Sequence, residues 1–267
     1  MIPTILIGLA GGAASGLLGI GGGVVLVPLL TKFLRMRQQN AHGTSLAILV
    51  FTAIAAALTY RAHEHIDLVF AAWLAVGATL CAPLGAKMTT RMSAQQLRRW
   101  FGLLIALVGV RMFLLHLPEG TWLAQPGALG IALAILTGCV VGWLSGLMGV
   151  GGGTILVPIL TLLFGIEQHH AQGISLFMVI PTAISGAWTH ARLGHVEKKL
   201  VLPIAAASVV SAVAAAALAN RLPAQVLRIA FGALLLWVGV RMAWKPAPKQ
   251  SGPGPKTEPA AKPNREN

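Results

Sequence analysis

Acidic side chains are scarce in this sequence: seven Asp and Glu stand against twenty Lys and Arg in 267 residues. Those before the C-terminal tail are Glu64, Asp67, Glu119, Glu167 and Glu197, and each falls near the end of an apolar segment. Paired carboxylates for acid–base work are therefore lacking. A mid-span acid, the usual carrier of a coupled proton or sodium ion, is lacking too. Cysteine is limited to Cys81 and Cys139, each inside an apolar run, where a small packing residue is the plainer reading than a disulfide or metal pair. Gly-x-x-x-x-Gly-Lys-Ser/Thr, Gly-x-Ser-x-Gly and His-Glu-x-x-His are all missing, which removes the ATPase, serine-hydrolase and zinc-protease readings that rest on them. No catalytic residue, metal or cofactor is assigned. Charged residues make up only 10%, against about 25% in an ordinary soluble domain. The net charge of +13 comes without an aromatic-rich basic patch, so nucleic acid is not an expected partner.

What remains is apolar. Hydrophobic residues make up 56% of the chain, and the mean hydropathy is +0.77. No charged residue occurs from Gly120 to Ile166. Uncharged apolar runs of 18 or more residues read as membrane spans. An all-α polytopic membrane protein follows, with the lipid bilayer as its first partner. Met1 leads into apolar residues without a basic stretch, which argues against a cleaved signal peptide.

The chain is organised around one stretch that occurs twice. Gly16-Leu17-Leu18-Gly19-Ile20-Gly21-Gly22-Gly23 returns as Gly146-Leu147-Met148-Gly149-Val150-Gly151-Gly152-Gly153, at an offset of 130 residues. The register holds far beyond the glycines. Ser15 pairs with Ser145, Pro28 with Pro158, Ser45 with Ser175, and Gly109-Val110-Arg111-Met112 with Gly239-Val240-Arg241-Met242. The expected organisation is a first repeat over 1–118, a second over 119–244, and a basic, disordered tail over 245–267. Each repeat holds four apolar segments, about 3–34, 43–60, 68–88 and 97–116, then 127–165, 173–190, 200–220 and 226–244.

The first segment of each repeat should be broken at its glycines, because three in a row oppose a helix. As one helix the uncharged run 120–166 would be about 70 Å long, while the hydrocarbon is only about 30 Å thick. A helix, a tight turn and a shorter returning helix fit better. Each repeat then crosses three more times, and the repeats are inverted. With the N-terminus inside, the inner regions carry Lys32, Arg35, Arg37, Lys87, Arg91, Arg98, Arg99, Arg192, Lys198, Lys199 and the tail. Only Arg61, Arg111, Arg221 and Arg228 lie outside, the asymmetry expected of cytoplasmic loops.

Paired Gly-broken spans at matching places in two halves point to a transporter binding site. A helix restarting after Gly21, Gly22 and Gly23, or after Gly151, Gly152 and Gly153, offers unpaired N–H groups to an anion. Ser15, Ser145 and Thr154 are close in sequence and bear hydroxyls. The plainer alternative is close helix packing through small residues. A second candidate is Asn40-Ala41-His42-Gly43-Thr44-Ser45 with its partner His170-Ala171-Gln172-Gly173-Ile174-Ser175. Each opens an apolar helix, so His42, Thr44, Ser45, Gln172 and Ser175 could receive an anion, or could simply cap the helix. The other histidines read as loop residues, since neither His63-Glu64-His65 nor His169-His170 is completed at metal-site spacing. Trp73, Trp100, Trp122 and Trp244 read as interfacial anchors.

These residues resemble the TauE/SafE family, the sulfite exporter or toluene-sulfonate uptake permeases. The duplicated Gly-x-Gly-Gly-Gly with its following proline carries the likeness. So do the Ala-x-Gly-x-Ser helix openings and the stretch from Thr189 to Val196. The resemblance covers about residues 5–244. It implies a multi-pass permease of the bacterial inner membrane for sulfite, sulfonates or related sulfur anions. A passive anion channel and a membrane scaffold without flux are the alternatives, and association with further copies of the chain is left open.

Overall fold

The computed structural model describes residues 2–63, 67–88, 94–114, 127–148 and 151–244. The expected tail, Trp122, Glu64, Glu119 and Gly149-Val150 lie outside them. Among the described residues ten helices run in order: α1 (Ile2–Leu18), α2 (Gly23–Phe33), α3 (Gln38–Ala62), α4 (Leu68–Met88), α5 (Ala94–Leu114), α6 (Ala128–Met148), α7 (Gly153–Leu162), α8 (Gln168–Arg192), α9 (Lys198–Ala219) and α10 (Ala224–Trp244). This is an all-α polytopic membrane protein. Among the described residues, five helices are long and apolar enough to cross a bilayer, those over Gln39–Ala62, Ala128–Ser145, Gln168–Arg192, Lys198–Ala219 and Ala224–Trp244. Shorter apolar helices accompany them.

Helices α3 and α8 start about five residues before the apolar runs that announced them. Asn40–Ser45 and His170–Ser175 therefore lie inside the first turns. The N-cap positions belong to Arg37 and Glu167, neither of which makes a side-chain cap. Hydropathy marks where a helix enters the hydrocarbon, and Gln, Asn and His continue a helix into water at modest cost. Ordinary capping by those polar residues is thereby corrected. Asp67, by contrast, does cap a helix: its Oδ1 accepts from the amides of Val69 and Phe70 at 3.1 and 3.0 Å.

Glycine decides how the helices pair. Along α1, Gly8 faces Ile204 and Ala207, Gly12 faces Ser208, and Gly16 faces Ala212 and Ala216 of α9. Both numbers rise together, so α1 and α9 run side by side in one direction. The Ser208 hydroxyl donates to the Gly8 carbonyl at 2.9 Å. In the same way Gly138 of α6 meets Leu74 and Gly142 meets Ala78 of α4. Helices α5 and α10 run oppositely, with Gly102 against Gly239 and Gly109 against Gly232. Stripes of small residues let backbones approach in lipid, where packing contacts replace the hydrophobic drive. At the centre α3 packs against α8, with Gly186 on Leu46 near one end.

Candidate functional site

Both glycine breaks depend on backbone that only glycine adopts readily. Gly19, Gly21 and Gly22 have φ of 67°, 75° and 80°, and Gly151 and Gly152 have 91° and 78°. Side chains in this left-handed region are disfavoured by contact of Cβ with the backbone. Gly22 and Gly152 are the N-caps of α2 and α7 and bring no capping side chain to the first amides. The second break holds the same place as the first. Gly22 packs against Gly11 and Ser15, and Gly152 against Val141 and Ser145, each 130 residues further on.

The two breaks meet. A Cβ added to Gly153 would lie 3.0 Å from Ile20 Cα and 3.1 Å from the Gly19 carbonyl oxygen. Gly21 and Gly151 both rest on Leu49 of α3 and Val179 of α8, themselves a repeat pair. Ile20, Leu49 and Val179 are fully buried. Two buried hydroxyls flank this meeting point. Ser15 Oγ on α1 and Thr154 Oγ1 in the first turn of α7 have no hydrogen-bond partner among the described residues. An unpaired buried hydroxyl costs about 1–3 kcal/mol.

The helix-opening residues divide. Ser175 Oγ donates to the Gly19 carbonyl at 2.9 Å, and Gln172 Nε2 donates to the Leu17 carbonyl at 3.1 Å. The Tyr60 hydroxyl lies 3.0 Å from the Gly16 carbonyl and 2.8 Å from Gln172 Oε1, sharing one proton between them. Here α8 and α3 satisfy the carbonyls left open where α1 ends. Ser45 is buried. Thr44 Oγ1 accepts from the Glu197 amide at 3.0 Å, away from the breaks. His42 is half-buried in the first turns of α3, and its neighbour Gly43 abuts the His195 carbonyl and the His190 side chain. The histidines are not all loop residues: His169 is buried, with Nε2 at 3.2 and 3.1 Å from the carbonyls of Ala219 and Leu222. Tyr60 escaped sequence reasoning. Its signal was there, as the chain's single tyrosine set within an apolar span. Among the described residues, no group of three His, Cys, Asp or Glu is placed to hold a metal.

The comparisons agree with this architecture. The family model for the sulfite exporter TauE/SafE matches residues 1–112 and 134–265. The chain belongs to the TauE/SafE family. It is a membrane transporter, not an enzyme, and a multi-pass protein of the bacterial inner membrane. TauE/SafE relatives include the probable membrane transporter protein YunE of Bacillus subtilis, 28% identical over 73% of this chain and 80% of its own length. The probable membrane transporter protein YdhB of the same organism is 26% identical over 82% and 90%. A probable membrane transporter protein of Xylella fastidiosa is 28% identical over 92% and 95%. No solved structure matches the chain.

Proposed function

We propose that this transporter moves a small anion, sulfite, a sulfonate or a related sulfur anion, and holds it where the two glycine breaks meet. The observation that carries the reading is the convergence of two helix N-termini, α2 and α7, beside two buried hydroxyls without partners. Amides and partial positive charge at helix starts favour an anion, and Ser15 and Thr154 bring the donors such a ligand requires. Fully buried Ile20, Leu49 and Val179 between the breaks favour a carrier that opens to one side at a time over a standing channel. The remaining backbone at Gly21–Gly23 and Gly151–Gly153 would supply further N–H donors, with Ser145 beside Gly152.

Ser15→Ala and Thr154→Val test the site. Each removes a donor to a charged group, worth roughly 1.5–3 kcal/mol. The apparent KM for anion flux in proteoliposomes should rise about tenfold per variant, with the unfolding temperature unchanged or slightly higher. A double variant with wild-type KM across a sulfur-anion panel would remove the site. Wild-type protein with neither flux nor ligand-dependent thermal shift would favour a scaffold.

The same reading makes residues 1–118 and 119–244 inverted repeats, with α1–α2 and α6–α7 as re-entrant hairpins. Its support is that successive α2 residues meet earlier α1 residues: Gly22 and Leu26 both lie against Gly11, and Leu30 shares a cluster with Ile7. The oppositely directed α5 and α10 agree with it. Both chain ends are then cytoplasmic, as is the Arg192–Lys199 loop, while the Arg61–Asp67 loop is outside. Impermeant thiol reagents applied to cysteines engineered in these two loops should label them from opposite faces. Labelling of both from one face would refute the inversion.

A further inference from the structure

The two ends of the α3–α8 pair are related by the repeat but differ chemically. At one end the partners are Tyr60 and Gln172, hydrogen-bonded at 2.8 Å. Their counterparts 130 residues away are His190 and His42. Neutral groups that stay uncharged near pH 7 are thus replaced by imidazoles, the side chain whose ordinary pKa lies nearest neutrality. The His190 ring lies 5.9 Å from that of His195, centroid to centroid. Gly43, in the first turns of α3, packs on the His190 side chain and the His195 carbonyl without room for a methyl group. Nδ1 of both His190 and His195 is buried and has no hydrogen-bond partner among the described residues.

We propose that His190 and His195 form a proton-binding site that gates the end of the transporter where α3 begins and α8 closes. The proposal rests on the transport reading above. A second proton makes both nitrogens of an imidazole N–H donors, and here Nδ1 faces no acceptor. Both rings are half-buried, so a cation whose buried Nδ1–H has no acceptor is only partly solvated and is costly, and two of them at this separation repel. Protonation therefore pushes α8 and its following loop off the start of α3. The other charged groups at this end do not neutralise the pair. Glu197 is engaged with α3, accepting from Asn40 Nδ2 at 3.4 Å and donating its amide to Thr44. Arg192 stacks on Trp188 at 5.1 Å. Arg37, Lys198 and Lys199 are exposed and add positive charge. At the opposite end His65, at the position matching His195, lies outside the described residues.

The gate is one-sided. A proton taken up at His190 and His195 returns to the same face, because Ser15, Thr154 and the glycines between the two ends do not titrate near neutrality.

Two measurements test this. Solid-state NMR of 15N-histidine-labelled protein in bilayers, with His190→Tyr for assignment, should show His190 changing protonation state between about pH 8 and 5. A single state throughout overturns the proton site, whatever the flux. Sulfite flux is then followed in right-side-out and inverted membrane vesicles held at zero potential, with the pH of each face set separately. Flux should rise roughly tenfold as the pH at the α3-start face falls from about 7.5 to about 5.5; the other face, where Glu167 pairs with His169 and His170, is held at constant pH. The double variant His42→Gln/His190→Tyr copies the opposite end. Normalised to its own flux at the higher pH, it should lose the response, and so should the milder His195→Gln. No response at the α3-start face, or one kept in both variants, overturns the gate. Absence of flux at every pH removes the transport reading and the gate with it, while the NMR titration judges the proton site alone.

Discussion

Gly22→Val should abolish anion flux while much of the protein still reaches the membrane. Gly22 has φ of 80°, and its added Cβ would lie 2.5 Å from the Gly11 carbonyl oxygen and 3.5 Å from Ser15 Cβ. A left-handed backbone costs a residue with a Cβ about 1–2 kcal/mol, and overpacking adds about 1–3 kcal/mol. The strain falls on the turn and on Ser15, not on the α1–α9 contact that inserts and packs the helix. Gly152 is the control within the same molecule. Its φ of 78° is nearly the same, but the nearest atoms to a new Cβ are side-chain carbons of Val141, Met178 and Ser145 at 3.3–3.4 Å. Gly152→Ala should lower flux about tenfold, since it carries the backbone strain without a backbone collision, and Gly152→Val should fall between. Flux in proteoliposomes, set against membrane yield and size-exclusion profile, separates transport from folding. A Gly22→Val/Gly152→Val protein that inserts normally and transports normally would end the assignment of the breaks as the site.

The expectation of a duplication rests on Arg, Pro and Ser held in one register, which an apolar sequence has little reason to keep unless each holds a position. The expectation of breaks has a related reason, since Gly21-Gly22-Gly23 has no use inside a helix. The meeting of the breaks was not legible. It depends on which helix faces which: Gly153 lies against Ile20 and Gly19, while Gly21 and Gly151 both rest on Leu49 and Val179 of the packed α3–α8 pair. The carbonyls of Gly16, Leu17 and Gly19 were equally hidden. Polar side chains at 172 and 175 advertise hydrogen bonding, but a sequence does not say whether they serve a ligand or an open helix end. The structure directs Gln172 and Ser175 to the helix end and leaves Ser15 and Thr154 without partners among the described residues. Polar flanks explain the early starts of α3 and α8, because apolarity reports the bilayer and not the helix.

The chemistry of the meeting point also sets what can drive transport. Ser15 and Thr154 are uncharged, Leu49 and Val179 are apolar, and the described acids Asp67, Glu167 and Glu197 each lie just before a helix. For the anion proposed above, the only charge that crosses is then its own. Leaving a negative interior lowers its free energy by about 2.3 kcal/mol per charge per 100 mV, roughly a 50-fold gradient for a monoanion at about 1.4 kcal/mol per decade. Export should therefore follow the membrane potential and need no sodium. A potassium diffusion potential across proteoliposomes should set the final anion gradient, with or without sodium and with or without a pH difference. The proton site at His190 and His195 changes how fast that gradient is reached, not its size, because its proton does not cross. His42 supplies the rival outcome, as a half-buried imidazole at the start of α3 that could carry a proton with the anion. If a pH difference at zero potential concentrates the anion, and His42→Ala removes that accumulation, the proton is a driving ion and the potential-driven reading is wrong.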